Sequence, residues 1–214
     1  ESKLTKLITP GEDEEETEVF RQRYFRAIKS KAYGGNGADY KEKTLAIAGV
    51  GGVKVYRCWN GGGTVKLVIV NSEFGKADNE LVKEVQNTFD PTPNRGKGYG
   101  LAPIGHTVTV ASAEVVPISY KIEVNMKSGH NISEIKAKVE KAISDKLLTR
   151  RKEWTTQNED EYVSVRSSIV TALVIDIDNV IDVGQIMING RSITRLDLKH
   201  NQIPVLGTIE LVAI

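Results

Sequence analysis

The sequence predicts an α+β protein of two similar small units, each with helices packed on a mostly antiparallel sheet. Three observations carry that expectation. Gly63-Thr64-Val65-Lys66-Leu67-Val68-Ile69-Val70 returns as Gly207-Thr208-Ile209-Glu210-Leu211-Val212-Ala213-Ile214. Each copy closes the same succession: a helical segment, a valine-rich segment (Gly52–Tyr56, later Asp178–Val183), a turn, then the Gly-Thr strand. Helical spacing of apolar residues precedes both strand pairs. Two copies are too few for a solenoid, which needs about three. The boundaries expected are 12–113 and 114–214, with 1–11 read as the remnant of a preceding region because the chain starts at Glu1.

The first helix is expected from Asp13, with Val19, Phe20, Tyr24, Ala27 and Ile28 on one face. The acidic residues Glu12 to Glu16 and Glu18 then meet the positive end of its dipole. Gly34-Gly35-Asn36-Gly37 breaks it, and a shorter helix runs from Ala38 to about Ala48. A hairpin follows, Val53–Trp59 and Thr64–Asn71, turning at Asn60-Gly61-Gly62-Gly63 because Asn-Gly tolerates positive φ. Asp78 is a natural N-cap for a helix with the stripe Leu81, Val82, Val85, Phe89, closed by Pro91.

Residues 91–105 form a long Pro- and Gly-rich loop, of the kind usually functional or mobile. Strands His106–Ala111 and Val115–Met126 come next, and Pro117 predicts an edge position or a crossing between units. Asn131 with Glu134 forms a capping box for a helix whose core face is Ile132, Ile135, Val139, Ile143 and Leu147. Residues 150–160 read as polar loop and Tyr162–Leu173 as helix. A closing sheet of Val180–Asn189, Arg191–Leu198 and Thr208–Ile214 turns at Asn189-Gly190. The bare hydrophobes at the end predict a paired, buried terminal strand.

Hydrophobic content of 40% and charged content of 27% fit an ordinary globular chain. A net charge of +1 supplies no field for DNA or an anionic membrane. No apolar run approaches the roughly 18 residues of a membrane span. The single cysteine, Cys58, excludes an intrachain disulfide, fits a reducing compartment, and is expected buried in its strand.

Sites of known chemistry fail on spacing. No glycine cluster carries the Gly-Lys-Ser/Thr ending of a phosphate loop. Asp176 to Asp182 resembles a calcium loop, but Val180, Ile181 and Met187 stand at the third-ligand, glycine and glutamate positions, so it reads as a turn between helix and strand. His106, His130 and His200 are widely separated, and no Gly-x-Ser-x-Gly elbow occurs. No catalytic, cofactor or metal residue is expected, and no cofactor.

An ordered set of motifs remains. Gly11 to Glu18 leads into Phe20-Arg21-Gln22-Arg23-Tyr24; then come Gly34 to Tyr40, Ala48 to Tyr56, Trp59 to Val65, and Ala102-Pro103-Ile104-Gly105. In order and spacing this resembles the baseplate J-like family of contractile phage tails and phage-like particles, PBSX-type prophage proteins included. The resemblance is densest over 11–110. It implies a non-enzymatic wedge component of a tail baseplate, linking the inner baseplate to peripheral parts. It also implies partners among wedge and tail proteins, self-association in the particle, and a place in the virion or particle baseplate after assembly in the host cytoplasm. An N-terminal region, of which Glu1 to Pro10 would remain, is usual in the family.

Tyr, Trp and Arg dominate interface energetics. Tyr33, Trp59, Arg95, Lys97 and Tyr99 are therefore the candidate contact residues, with Gly34–Gly37 and the 91–105 loop at inter-subunit contacts. The alternatives are a nucleic-acid-binding module using the basic loop 94–100, which 6% aromatics and the low net charge argue against, and a hydrolase whose carboxylates meet only in the fold.

Overall fold

A computed structural model describes residues 16–29 and 34–214. Tyr33 and the acidic residues 12–15 lie outside the described residues. Helix α1 (Thr17–Lys29) comes first, and its Val19, Phe20, Tyr24 and Phe25 are all about half exposed. Helix α2 (Gly37–Leu45) starts at the Asn36 N-cap, whose side chain accepts from the Asp39 amide.

Strands β1 (Val50–Arg57) and β2 (Thr64–Asn71) pair antiparallel. Helix α3 (Asn79–Phe89) is capped by Asp78, which accepts from the Leu81 amide at 2.7 Å, as expected. It carries the chain over to β3 (Thr107–Ser112), which therefore joins β2 in parallel. The first sheet has the order β1-β2-β3.

Strand β4 (Glu114–Met126) follows after a single residue, Ala113, and α4 (Ile132–Trp154) starts at the predicted Asn131–Glu134 capping box. Then come β5 (Ser164–Arg166), α5 (Ser167–Ile175), β6 (Val180–Ile188), β7 (Arg195–Asp197) and β8 (Gln202–Ala213). The second sheet has the order β6-β4-β8, and β5 pairs with β7 apart from it. The architecture is α+β. Antiparallel pairings outnumber parallel ones, but each three-stranded sheet carries one of each.

Several expectations need correcting. Cys58 lies past the end of β1, exposed and at φ +50°, not buried in a strand. It takes the left-handed turn position expected of Asn60; Gly61 and Gly63 take the others. Pro117 is in β4, the central strand, but before Tyr120, where pairing with β6 begins, so only β8 flanks it. Residues 150–154 are the last turn of α4, because Trp154 is fully buried and its indole donates to the His200 carbonyl at 2.8 Å. The helix expected from Tyr162 begins only at Ser167, after β5. Asn189-Gly190 is the expected turn, with both φ positive, but Arg191–Leu198 forms only an isolated bridge and the short β7. The end of β8 is paired on one side alone, and Ile214 is exposed.

The repeated Gly-Thr segments occupy different places. The first is β2, in the middle of its sheet; the second ends β8, at an edge, with β4 between it and β6. What recurs is the corner before the strand. Ile47 N donates to Thr44 O and Val50 N to Ile47 O; Ile177 N donates to Val174 O and Val180 N to Ile177 O. Gly49 (φ +87°) and Asn179 (φ +70°) take the same left-handed position, so the calcium-like segment is a turn from helix to strand.

Both faces of the first sheet are covered. Val53, Val65, Leu67 and Ile69 pack with Tyr40, Val85, Phe89 and Val108. Val68 and Val70, on the other face, belong to the core of Ile118, Ile122, Val139, Ile143 and Trp154. Lys54, 2% exposed, pairs with Val68 and so lies on this second face. Its ammonium donates to the Glu161 carbonyl at 2.7 Å, reaches Gln157 Oε1 and His200 O, and lies 5.1 Å above the Trp154 ring. Gly52 leaves room for Thr155, Lys41 Nζ donates to Thr155 O, and Arg57 pairs with Glu159 at 2.7 Å.

Trp154→Ala should cost about 3–5 kcal/mol in urea unfolding, because a fully buried ring is lost at this seam. Burial lowers the Lys54 ammonium from 10.5 to about 8, against the opposing pull of Glu161. Between those values the unfolded chain keeps a proton that the folded chain has released, so the Lys54 contribution to stability rises with pH. Wild type should therefore gain stability relative to Lys54→Met between about pH 8 and about pH 10; a constant difference would refute this.

Candidate interface at one end of the first sheet

Three glycine-bearing turns meet where β1 ends and β2 and β3 begin. The hairpin turn 58–63 is closed by Cys58 N to Thr64 O and Thr64 N to Gly61 O. The Thr107 amide donates to Gly63 O, which sets the end of the 91–105 loop against that turn. Gly35 packs on Pro103 of the loop at a distance no Cβ would permit. Tyr40 of α2 reaches the same corner, its hydroxyl 2.9 Å from His106 Nδ1. Burial, with help from Asp39 and Asp90, pushes the Tyr40 hydroxyl up to about 12.

The 91–105 loop is ordered by Asp90, a residue not singled out in the sequence. This carboxylate is 2% exposed and accepts from the Gly96 amide at 2.8 Å and the Val108 amide at 2.9 Å. Arg95 lies 3.5 Å from it and donates to Val108 O and Thr109 Oγ1. Leu101 N and Ala102 N return to Thr88 O and Phe89 O, and Ala102 is buried. The loop is thus a compact pad with its backbone tied to α3 and β3.

The candidate contact residues divide on this geometry. Trp59 is 45% exposed at the hairpin tip, with Lys66 Nζ 5.0 Å over its ring. Tyr99 is 73% exposed on the pad, and Lys97 faces outward near Asn94. Arg95 fastens the loop through those bonds while its side chain stays 41% exposed. Tyr33 is outside the described residues. The pad also carries Leu101 and Ile104, the latter 83% exposed. A large apolar residue between Pro103 and Gly105 was the available signal, since neither neighbour can place it in a helix or a strand interior.

Beside this end lies a cleft of about 640 Å³, lined by Tyr40 and Lys41 of α2, Val53, Lys54, Val55 and Arg57 of β1, His106, and residues 157–160. Its charges are mixed: Lys41, Lys54 and Arg57 against Glu159 and Asp160. Among the described residues no three His, Cys, Asp or Glu side chains converge as metal ligands. Also among them, no helix is long and apolar enough to cross a membrane.

Comparison with known proteins supplies the family. The model of the Baseplate J-like central domain matches residues 32–112. The Phage-like element PBSX protein XkdT of Bacillus subtilis (strain 168) is 33% identical over 209 residues, covering 98% of this chain and 57% of that protein. The Uncharacterized protein YqbT of the same strain is 34% identical over the same length and coverage. The chain thus spans somewhat over half the length of these curated relatives. A chain in the cryo-EM structure of the anti-feeding prophage (AFP) baseplate shares the fold, with a TM-score of 0.60 at 8% identity, over 92% of this chain and 42% of that one. Helix α2, the sheet β1-β2-β3, helix α3 and the pad all fall within the matched span, so residues 32–112 form a Baseplate J-like central domain.

Proposed function

We propose that this chain is a structural component of a phage or prophage tail baseplate, of the wedge type, which links inner and peripheral parts by protein contacts and catalyses nothing. The observation that carries the reading is the set of exposed side chains at this end: Tyr99, Leu101 and Ile104 on the pad, whose backbone is tied down around Asp90 and Arg95, and Trp59 on the adjoining hairpin turn. Rigid exposed aromatic and aliphatic anchors suit protein contact, since little conformational entropy is lost on docking. The Baseplate J-like central domain and the AFP baseplate fold favour the same reading.

In this reading the segments 12–113 and 114–214 are two units that move as one, because Lys54, Trp154 and Thr155 lock them together. The partners are other baseplate wedge and tail proteins and further copies of the chain, and the place of action is the particle's baseplate. Arg95 already bonds the Val108 carbonyl, the Thr109 hydroxyl and the Asp90 carboxylate, which leaves less of its charge for a nucleic acid.

Tyr99→Ala with Ile104→Ser should weaken co-purification with neighbouring tail proteins at least tenfold while leaving the melting temperature unchanged. Unchanged co-purification, or salt-dependent binding of a labelled oligonucleotide by the wild type, would overturn the proposal. Arg95→Ala should instead lower stability by about 1–2 kcal/mol in urea unfolding, because the Val108 carbonyl and the Asp90 carboxylate lose a donor.

A further inference from the structure

The second sheet has two rims, and most of their length is finished off. On β6, register shifts against β4 break the rim, the Val183 amide donates to Asp182 Oδ1, and Ile188 exchanges both main-chain bonds with Arg191. The first half of β8 is closed as well. There the Gln202 amide donates to Lys199 O, Pro204 has no amide to offer, and the Pro204 carbonyl accepts from Arg151.

The second half of β8 has no such finish. Thr208 N turns inward to Ser119 Oγ and Ile214 N to Val124 O, so the alternation of a strand sends the N–H and C=O of Ile209, Leu211 and Ala213 outward. Among the described residues nothing bonds these outward groups. No lysine, proline or bulge, the devices that usually guard a rim, interrupts 209–213. The rim is within reach: Thr208, Glu210 and Ala213 are exposed, Leu211 and Val212 are half-buried, and Ile214 is 61% exposed. Its one charge, Glu210, is held at 2.7 Å by Lys121 of β4.

We infer that this rim pairs antiparallel with the same rim of a second copy, about a two-fold axis through Leu211. The inference rests on the baseplate reading and names the surface through which copies of the chain meet. Thr208–Ile214 laid on itself puts Leu211 opposite Leu211 of the second copy, and Ile209 opposite its Ala213. All of these carry outward groups, so each pair exchanges both main-chain bonds. Their side chains share the face that takes Ile209 and Leu211 into the second core, and they lengthen that apolar layer. On the other face Glu210 meets Val212, and Thr208 meets the exposed Ile214. The neighbouring register that also joins outward groups puts Glu210 opposite Glu210, and like charges directly opposite are destabilising. A second copy is favoured over a foreign strand because the segment complements itself in outward groups, apolar side chains and charge. Such a contact is isologous and closes at two copies, with the broken β6 rims left outside.

Sedimentation and directed cross-linking test this. The purified chain should sediment as a dimer. Ala213→Pro removes an outward amide without touching the ladder to β4, so the variant should keep its melting temperature and sediment as a monomer. In a Cys58→Ser background, Leu211→Cys sets two thiols across the axis on Cα atoms about 5.5 Å apart, within disulfide range. It should give a reducible dimer both in the free chain and in particles, whereas Thr208→Cys, opposite Ile214, should not. A monomeric wild type, a dimer that survives in folded Ala213→Pro, or a cross-link from Thr208→Cys in place of Leu211→Cys overturns the β8 pairing. So does Leu211→Cys that stays uncross-linked in particles containing the chain, an outcome that leaves the baseplate reading standing. Absence of the wild-type chain from purified particles overturns the baseplate reading, while the free-chain dimer still decides the β8 contact.

Discussion

Strand β2 buries side chains on both of its faces, and the molecule is arranged around that demand. Val65, Leu67 and Ile69 point one way; Val68 and Val70 point the other; all are under a tenth exposed. Each such side chain returns about 1.5–3 kcal/mol only if its face is covered. Helices α2 and α3 cover the first face from within the matched family domain. The second face joins a core formed by later residues, among them Ile118 of β4 and Ile143 and Trp154 of α4. A sheet with apolar side chains on both faces thereby draws the later half of the sequence onto itself.

Lys54 is the costly part of that arrangement. An ammonium taken from water is tolerated only where its donors are satisfied. Here the backbone carbonyls of Glu161 and His200, the Gln157 amide oxygen and the Trp154 ring provide the partners. All four come from the later half of the chain. Their register against β1 is therefore specified by hydrogen bonds and not by apolar contact alone, which a slipped packing could approximate.

Local features were legible in the sequence. Asp78, the Asn131–Glu134 box and the Asn189-Gly190 turn each act through neighbours a few residues away, and each formed as read. Distant causes were not. Trp154 extends α4 because its partner is the His200 carbonyl, which no window of sequence contains. Cys58 left its strand because the turn needed three left-handed positions and glycine filled only two. The Gly-Thr repeat could not announce that β4 would separate β6 from β8. At the candidate interface, Trp59 and Tyr99 were visible as aromatics beside glycines, while the bonds of Arg95 to Asp90, Val108 and Thr109 were not. Asp90 and Lys54 were invisible because their importance lies in what they bond.

The sealed rim of β3 has a consequence for how copies can accumulate. A sheet open at both rims extends indefinitely, one molecule templating the next into a fibre. With Gln86, Asp90 and Arg95 plugging one side, no further copy can lengthen the sheet from β3. Growth by this route is self-limiting, which is what a particle of fixed size and closed symmetry requires of its parts.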